Sequence, residues 1–175
     1  DNSSQEQIIQ PTNIVNYNSL LPSFDHILAS YPQYSTYPDN AFADLVGGYY
    51  DLNYDAGIFN WTCASRVSHC LNEAGETIPY IENETSSGEN GNKIIYRVQT
   101  LKQYLTTTYG NANIISGNRQ DFMGYKGIIL FDFGGYSQSG YSGHATIWNG
   151  TTGNNGGISD GGTYFGEGTM LWIAD

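Results

Sequence analysis

The sequence is poor in charge, and poorest in positive charge. Only 13% of its 175 residues are Asp, Glu, Lys or Arg, well below the usual quarter of a soluble chain. Arg66, Lys93, Arg97, Lys102, Arg119 and Lys126 are the six basic residues, set against 17 acidic ones for a formal net charge of −11. A surface that tracks nucleic-acid phosphates needs a basic stripe, which these six cannot build. The same shortage argues against anionic membrane surfaces as partners. Long apolar runs are missing too, none approaching the roughly 18 to 20 residues of a membrane-crossing helix. The Glu, Lys and Leu abundance of a coiled coil is absent, as are internal repeats and low-complexity blocks.

Cysteine is scarce. Cys63 and Cys70 are the only two, whereas a disulfide framework carries more, usually evenly spread. On a helix, positions seven apart lie on one face about 10 Å from each other. A disulfide bridges Cα atoms up to about 7 Å apart, so both cysteines are expected to be free thiols.

In place of charge the chain holds 22 Gly, 15 Tyr and many Asn, Ser and Thr, with 14% aromatics. That profile suits a turn-rich, β-containing single domain with a neutral polar surface and enough length to bury a core. Apolar segments recur to the last residue, which excludes a disordered chain. The start, Asp1-Asn2-Ser3-Ser4-Gln5, has no initiator Met and reads like a mature chain. Four Asn-x-Ser/Thr sequons occur, at Asn2, Asn60, Asn83 and Asn149. Together with the low charge they point to a secreted protein.

Residues 1–20 are polar and aperiodic and are expected to form a loosely held arm. At Pro22-Ser23-Phe24-Asp25-His26-Ile27-Leu28, Ser23 is a natural N-cap, and Tyr31-Pro32 ends the helix that follows. Residues 32–60 read as a loop with one short helix. Cys63, Val67, Cys70, Leu71 and Ala74 then form an apolar stripe at helical period. Thr62 or Asn60 can cap that helix and Gly75 can stop it. Residues 82–92 read as a solvent loop, and Ile94, Val98, Leu101 and Leu105 as another helix, closed by Tyr109-Gly110-Asn111. Apolar runs at 127–133, 144–148 and 169–174 read as strands separated by glycine-rich turns. Helices first and strands later imply an α+β domain, its antiparallel sheet covered by the early helices.

Cys63 falls in the first turn of its helix, where unpaired N–H groups and the positive end of the dipole stabilise a thiolate. The same amides can bind an oxyanion. It reads equally as a small buried hydrophobe, which composition alone favours. Of the three histidines, His26 reads as exposed and His69 as surface or structural. His144 opens a strand after Gly143, a place where a base can meet a cysteine from another element. Asp160, in the turn Ser159-Asp160-Gly161-Gly162, is the candidate to orient the imidazole, with Asn155 a rival; turn chemistry explains both as well. Asp51-Leu52-Asn53-Tyr54-Asp55 resembles the opening of a calcium loop, but Ala56 stands at the glycine position and Thr62 at the final glutamate position. No zinc spacing and no phosphate loop are present, so no metal or cofactor is expected.

The run from Thr62 to Gly75, TCASRVSHCLNEAG, resembles the nucleophile helix of the type VI secretion amidase effector family 4. Gly143-His144-Ala145-Thr146-Ile147-Trp148-Asn149-Gly150 is similar to that family's histidine strand. The likeness runs from about residue 21 to the C-terminus. It implies a papain-like fold of the NlpC/P60 kind, with 21–175 a single catalytic amidase domain. It also implies a cysteine peptidase that cuts the amide between D-glutamate and meso-diaminopimelate in bacterial peptidoglycan stem peptides. Carried over by position, Cys63 is the nucleophile, His144 the base and Asp160 the orienting residue, without cofactor. The segment 151–159 reads as an insertion that leaves Asn155 in contention. An immunity-type protein inhibitor is the expected protein partner. Arg66 and Ser68 belong to the motif and are expected to be structural. Asn60, three residues before Cys63, is expected to carry no glycan. The rival class is a glycan- or wall-binding module built on Tyr, Trp and Asn; the rival cut is the muramoyl–L-alanine amide.

Overall fold

The computed structural model describes residues 20–134, 142–151 and 164–175. Most of the expected arm and the segment holding Asn155 and Asp160 lie outside them. The described chain runs α1 (Phe24–Ser30), α2 (Asp39–Val46), α3 (Gly48–Asp55), α4 (Cys63–Glu73), β1 (Thr85–Ser87), β2 (Lys93–Ile95) and α5 (Val98–Tyr109). Then follow β3 (Ile114–Ile115), a 3₁₀ turn (Arg119–Phe122), β4 (Gly127–Asp132), β5 (Gly143–Trp148) and β6 (Thr169–Ile173). The order is the α+β arrangement the pattern predicts.

Local signals act largely where they stand in the sequence. Ser23 caps α1 by accepting a hydrogen bond from the His26 N–H, and the helix stops at Tyr31 before Pro32. At the far end of α4, Gly75 N–H donates to Asn72 O and Glu76 N–H to Leu71 O. That is a Schellman closure around the expected glycine.

Four strands form an antiparallel sheet in the order β3-β6-β4-β5, with β1 and β2 paired separately. Both faces of β4 are covered, which is why it reads as a continuous apolar run. On one face Ile128, Leu130, Ala145, Ile147 and Trp172 pack under α4 and α5. On the other, Ile129, Phe131, Trp148 and Leu171 meet Phe122, with Phe133, Tyr164 and Phe165 against them. A smaller core under α2 and α3 gathers Phe42, Val46, Tyr50, Phe59 and Ile94.

Three expectations are corrected. Residues 32–60 hold two helices, not one: Phe42, Ala43, Val46 and Tyr50 supply a buried stripe that Gly47-Gly48 interrupts. The 82–92 loop includes β1, which pairs with β2. Ile94 and Ile95 belong to β2, so α5 begins at Val98; two β-branched residues in a row favour the strand. The helical spacing from Ile94 to Leu105 therefore crosses a real element boundary.

Candidate active site

The Cys63 side chain is placed by α4. The helix presents its apolar stripe to α1 and to β5, so its first residue arrives at the strand. Thr62 occupies the N-cap position, but its hydroxyl makes no capping bond. It donates instead to Asp39 Oδ1 on α2 and accepts from Arg66 Nε at 2.9 Å. A threonine cap is worth about 1 kcal/mol, which α4 forgoes. The backbone N–H groups of Cys63, Ala64 and Ala145 favour the thiolate, while burial and the Asp39 carboxylate oppose it. Burial dominates, and the thiol is pushed above its ordinary range.

Ala145 is the residue after His144, so the sulfur lies against the strand position beside the candidate base. Close strand approach explains the preceding glycine: a Cβ on Gly143 would stand 2.3 Å from the Phe131 carbonyl oxygen. His144 is buried opposite Phe131 on β4. Its ring packs in a triangle with Phe131, centroids 6.1 Å apart and planes at 19°, and Tyr164, at 5.6 Å and 28°, those two rings being 5.8 Å from each other. Burial pulls its pKa down to about 4. At neutral pH the thiol and the imidazole are therefore both in their uncharged forms.

The other sequence candidates fall elsewhere. Cys70 is wholly buried and donates to Val67 O, so both thiols are free, as expected from their spacing. His26 is exposed on α1. His69 is partly buried with its edge against Phe42, and burial lowers its pKa. The Asp51–Asp55 stretch is helical, within α3. Among the described residues, no group of three or more His, Cys, Asp and Glu side chains gathers to hold a metal. Asn60 is exposed in the segment that enters α4.

Arg66 and Ser68 are structural, as expected. Ser68 accepts from Ile95 N–H and ties α4 to β2. Arg66 is 0% exposed, donating to Pro32 O at 2.8 Å and pairing with Asp39 at 3.1 Å. Its guanidinium lies 3.6 Å from the Tyr34 ring centroid and 4.7 Å from that of Phe42. Sequence reasoning missed Asp39, Tyr34 and Tyr164. Asp39 follows Pro38 at a helix start, but nothing local ties it to an arginine 27 residues away.

The geometry can be set beside known proteins. Residues 59–172 match the family described as type VI secretion system (T6SS), amidase effector protein 4. No curated protein matches the chain. Among solved structures, the effector Tae4 of Salmonella typhimurium, in complex with the immunity protein Tai4, is 31% identical. The match covers 88% of this chain and 99% of that one, with a TM-score of 0.73. Tae4 from Enterobacter cloacae is 27% identical over 88% of this chain and 97% of that one, with a TM-score of 0.72. In complex with Tai4 the same protein covers 88% and 99%, at a TM-score of 0.71. The chain belongs to the type VI secretion amidase effector 4 family.

Proposed function

We propose that this protein is a secreted antibacterial cell-wall hydrolase, a cysteine peptidase of the NlpC/P60 kind, acting on peptidoglycan stem peptides. Its bond is the amide between the D-glutamate γ-carboxyl and meso-diaminopimelate, and residues 21–175 form its single catalytic domain. One observation carries the reading: the Cys63 sulfur, at the start of α4, is served by the amide of Ala145, the neighbour of His144. Membership of an amidase effector family agrees with it.

His144, neutral at working pH, takes the thiol proton as Cys63 attacks the glutamyl carbonyl. The Cys63 amide and a neighbouring donor hold the oxyanion. The imidazolium returns its proton to the departing amine, and water then releases the acyl-enzyme. Asp160 is assigned to orient the imidazole, with Asn155 as the rival; both lie outside the described residues. By analogy with the relatives solved in complex with Tai4, an immunity-type protein is the expected inhibitor.

The test is mass spectrometry of soluble products from diaminopimelate-type peptidoglycan, with wild type beside Cys63→Ala. Fragments ending in D-glutamate, from wild type only, support bond and nucleophile together. Cutting at the muramoyl–L-alanine amide corrects the specificity. Equal hydrolysis by Cys63→Ala overturns the mechanism, and wall binding without products moves the protein to the glycan-binding class.

A further inference from the structure

The start of α4 is built in an unusual way. A threonine at the N-cap ordinarily spends its oxygen on the amides of its own helix. Here the buried Thr62 is turned away from its own helix, its hydroxyl donating to Asp39 and accepting from Arg66, and no side-chain cap remains. The buried Arg66 guanidinium is fixed on four sides by Thr62, the Pro32 carbonyl, Asp39 and the Tyr34 ring. Three separate segments, the 31–38 turn, α2 and α4, are thereby locked together one residue before Cys63. The arrangement leaves the Cys63 and Ala64 amides facing the sulfur.

We infer that Thr62 and Asp39 are positioning residues for the Cys63 nucleophile: Asp39 and Arg66 draw the Thr62 hydroxyl away from the helix so that the first-turn amides serve the sulfur. The inference rests on the cysteine mechanism proposed above. Asp39 has a second, opposing effect. It balances the buried Arg66 charge, and its own negative charge beside the helix start disfavours the thiolate. Tyr34 from the 31–38 turn and Tyr50 from α3 also lie within electrostatic reach of the sulfur. Both tyrosines are held neutral by burial, which leaves Asp39 as the side chain whose charge acts on the sulfur.

Two substitutions therefore act in opposite directions. Asp39→Asn keeps hydrogen-bond acceptors for Thr62 and Arg66 but removes the charge. It should move the Cys63 titration to lower pH and speed alkylation at pH 7 several-fold. Thr62→Val keeps the shape but cuts the tie to Asp39 and Arg66 that holds the first-turn amides on the sulfur, so the titration should move to higher pH and kcat fall about tenfold, with Thr62→Ser restoring both. The experiment follows iodoacetamide labelling of the Cys63 peptide against pH by mass spectrometry on the full chain, with a thermal melt for each variant. The wholly buried Cys70 is followed as a separate peptide. An Asp39→Asn midpoint at or above that of wild type overturns the electrostatic half. Thr62→Val and Thr62→Ser profiles that coincide overturn the positioning half, even where Asp39→Asn does not fold. A wild-type Cys63 inert at every pH overturns instead the proposed function.

Discussion

The two faces of the four-stranded sheet are covered in different ways. Under α4 and α5 the contacts are mostly aliphatic, built from Ile128, Leu130, Ala145 and Ile147 against Val67, Leu71, Leu101 and Leu105. The opposite face is aromatic and lies under the 3₁₀ turn and the chain around Tyr164 and Phe165. Cys63 comes from the first side and His144 from the second. Helices set position on one side; on the other, stacked rings set the environment of a single imidazole. Stability and chemistry should therefore respond differently to changes on the two faces.

The largest separation is expected for Cys63→Ala. If Cys63 is the nucleophile, hydrolysis of peptidoglycan should fall about 1,000-fold or more while the melting transition stays cooperative. Product release and a thermal scan on the same sample check both halves. Next comes the helix-covered face: Leu130→Ala should cost about 2–5 kcal/mol, because close-packed neighbours leave a cavity there. Denaturant unfolding reads the loss, and the pH dependence of the enzyme that remains should be unchanged.

A third effect belongs to the aromatic face alone. His144 has a folded-state pKa of about 4, below the ordinary 6.5, so between these values the unfolded chain takes up a proton that the folded one refuses. Stability should thus be full above about pH 6.5, decline as pH falls toward 4, and lose about 3 kcal/mol over that window from this group. His144→Asn should flatten that part of the curve, measured by urea unfolding at a series of pH values. An equal slope in both proteins would assign the loss to carboxylates.

What was legible in the sequence follows the same divide. Cys63, Gly75 and the α4 stripe are local signals, as are the strands beginning at Gly127, Gly143 and Thr169. Gly143 was readable because close strand approach needs a residue without a Cβ. Ile94 misled because its spacing to Val98 and Leu101 continues a helical period across the Arg97 boundary. The α2–α3 pair was hidden by a tyrosine-rich, glycine-interrupted stretch whose buried face is completed by Phe59 and Ile94. Asp39 and Tyr164 could not be read because their meaning lies in long-range contacts. One closes on Arg66 and Thr62, the other on the His144 ring.

Tyr164 gives the smallest and most specific effect. It is half-buried, stacks on His144 and also on Phe133 at 5.7 Å, and so shields one side of the imidazole from water. Burial is the cause that lowers the His144 pKa, so opening that side should let it rise toward the ordinary imidazole range. In Tyr164→Ala the acid limb of kcat/KM should move to higher pH, with a several-fold loss of rate near pH 5 and little change near pH 8. Tyr164→Phe keeps the ring and should follow wild type, which separates stacking from any use of the hydroxyl. Rates measured from pH 4 to 9 decide it. If the alanine variant loses the same fraction at every pH, Tyr164 shapes the fold without tuning the histidine, and the contrast between the two faces reduces to packing alone.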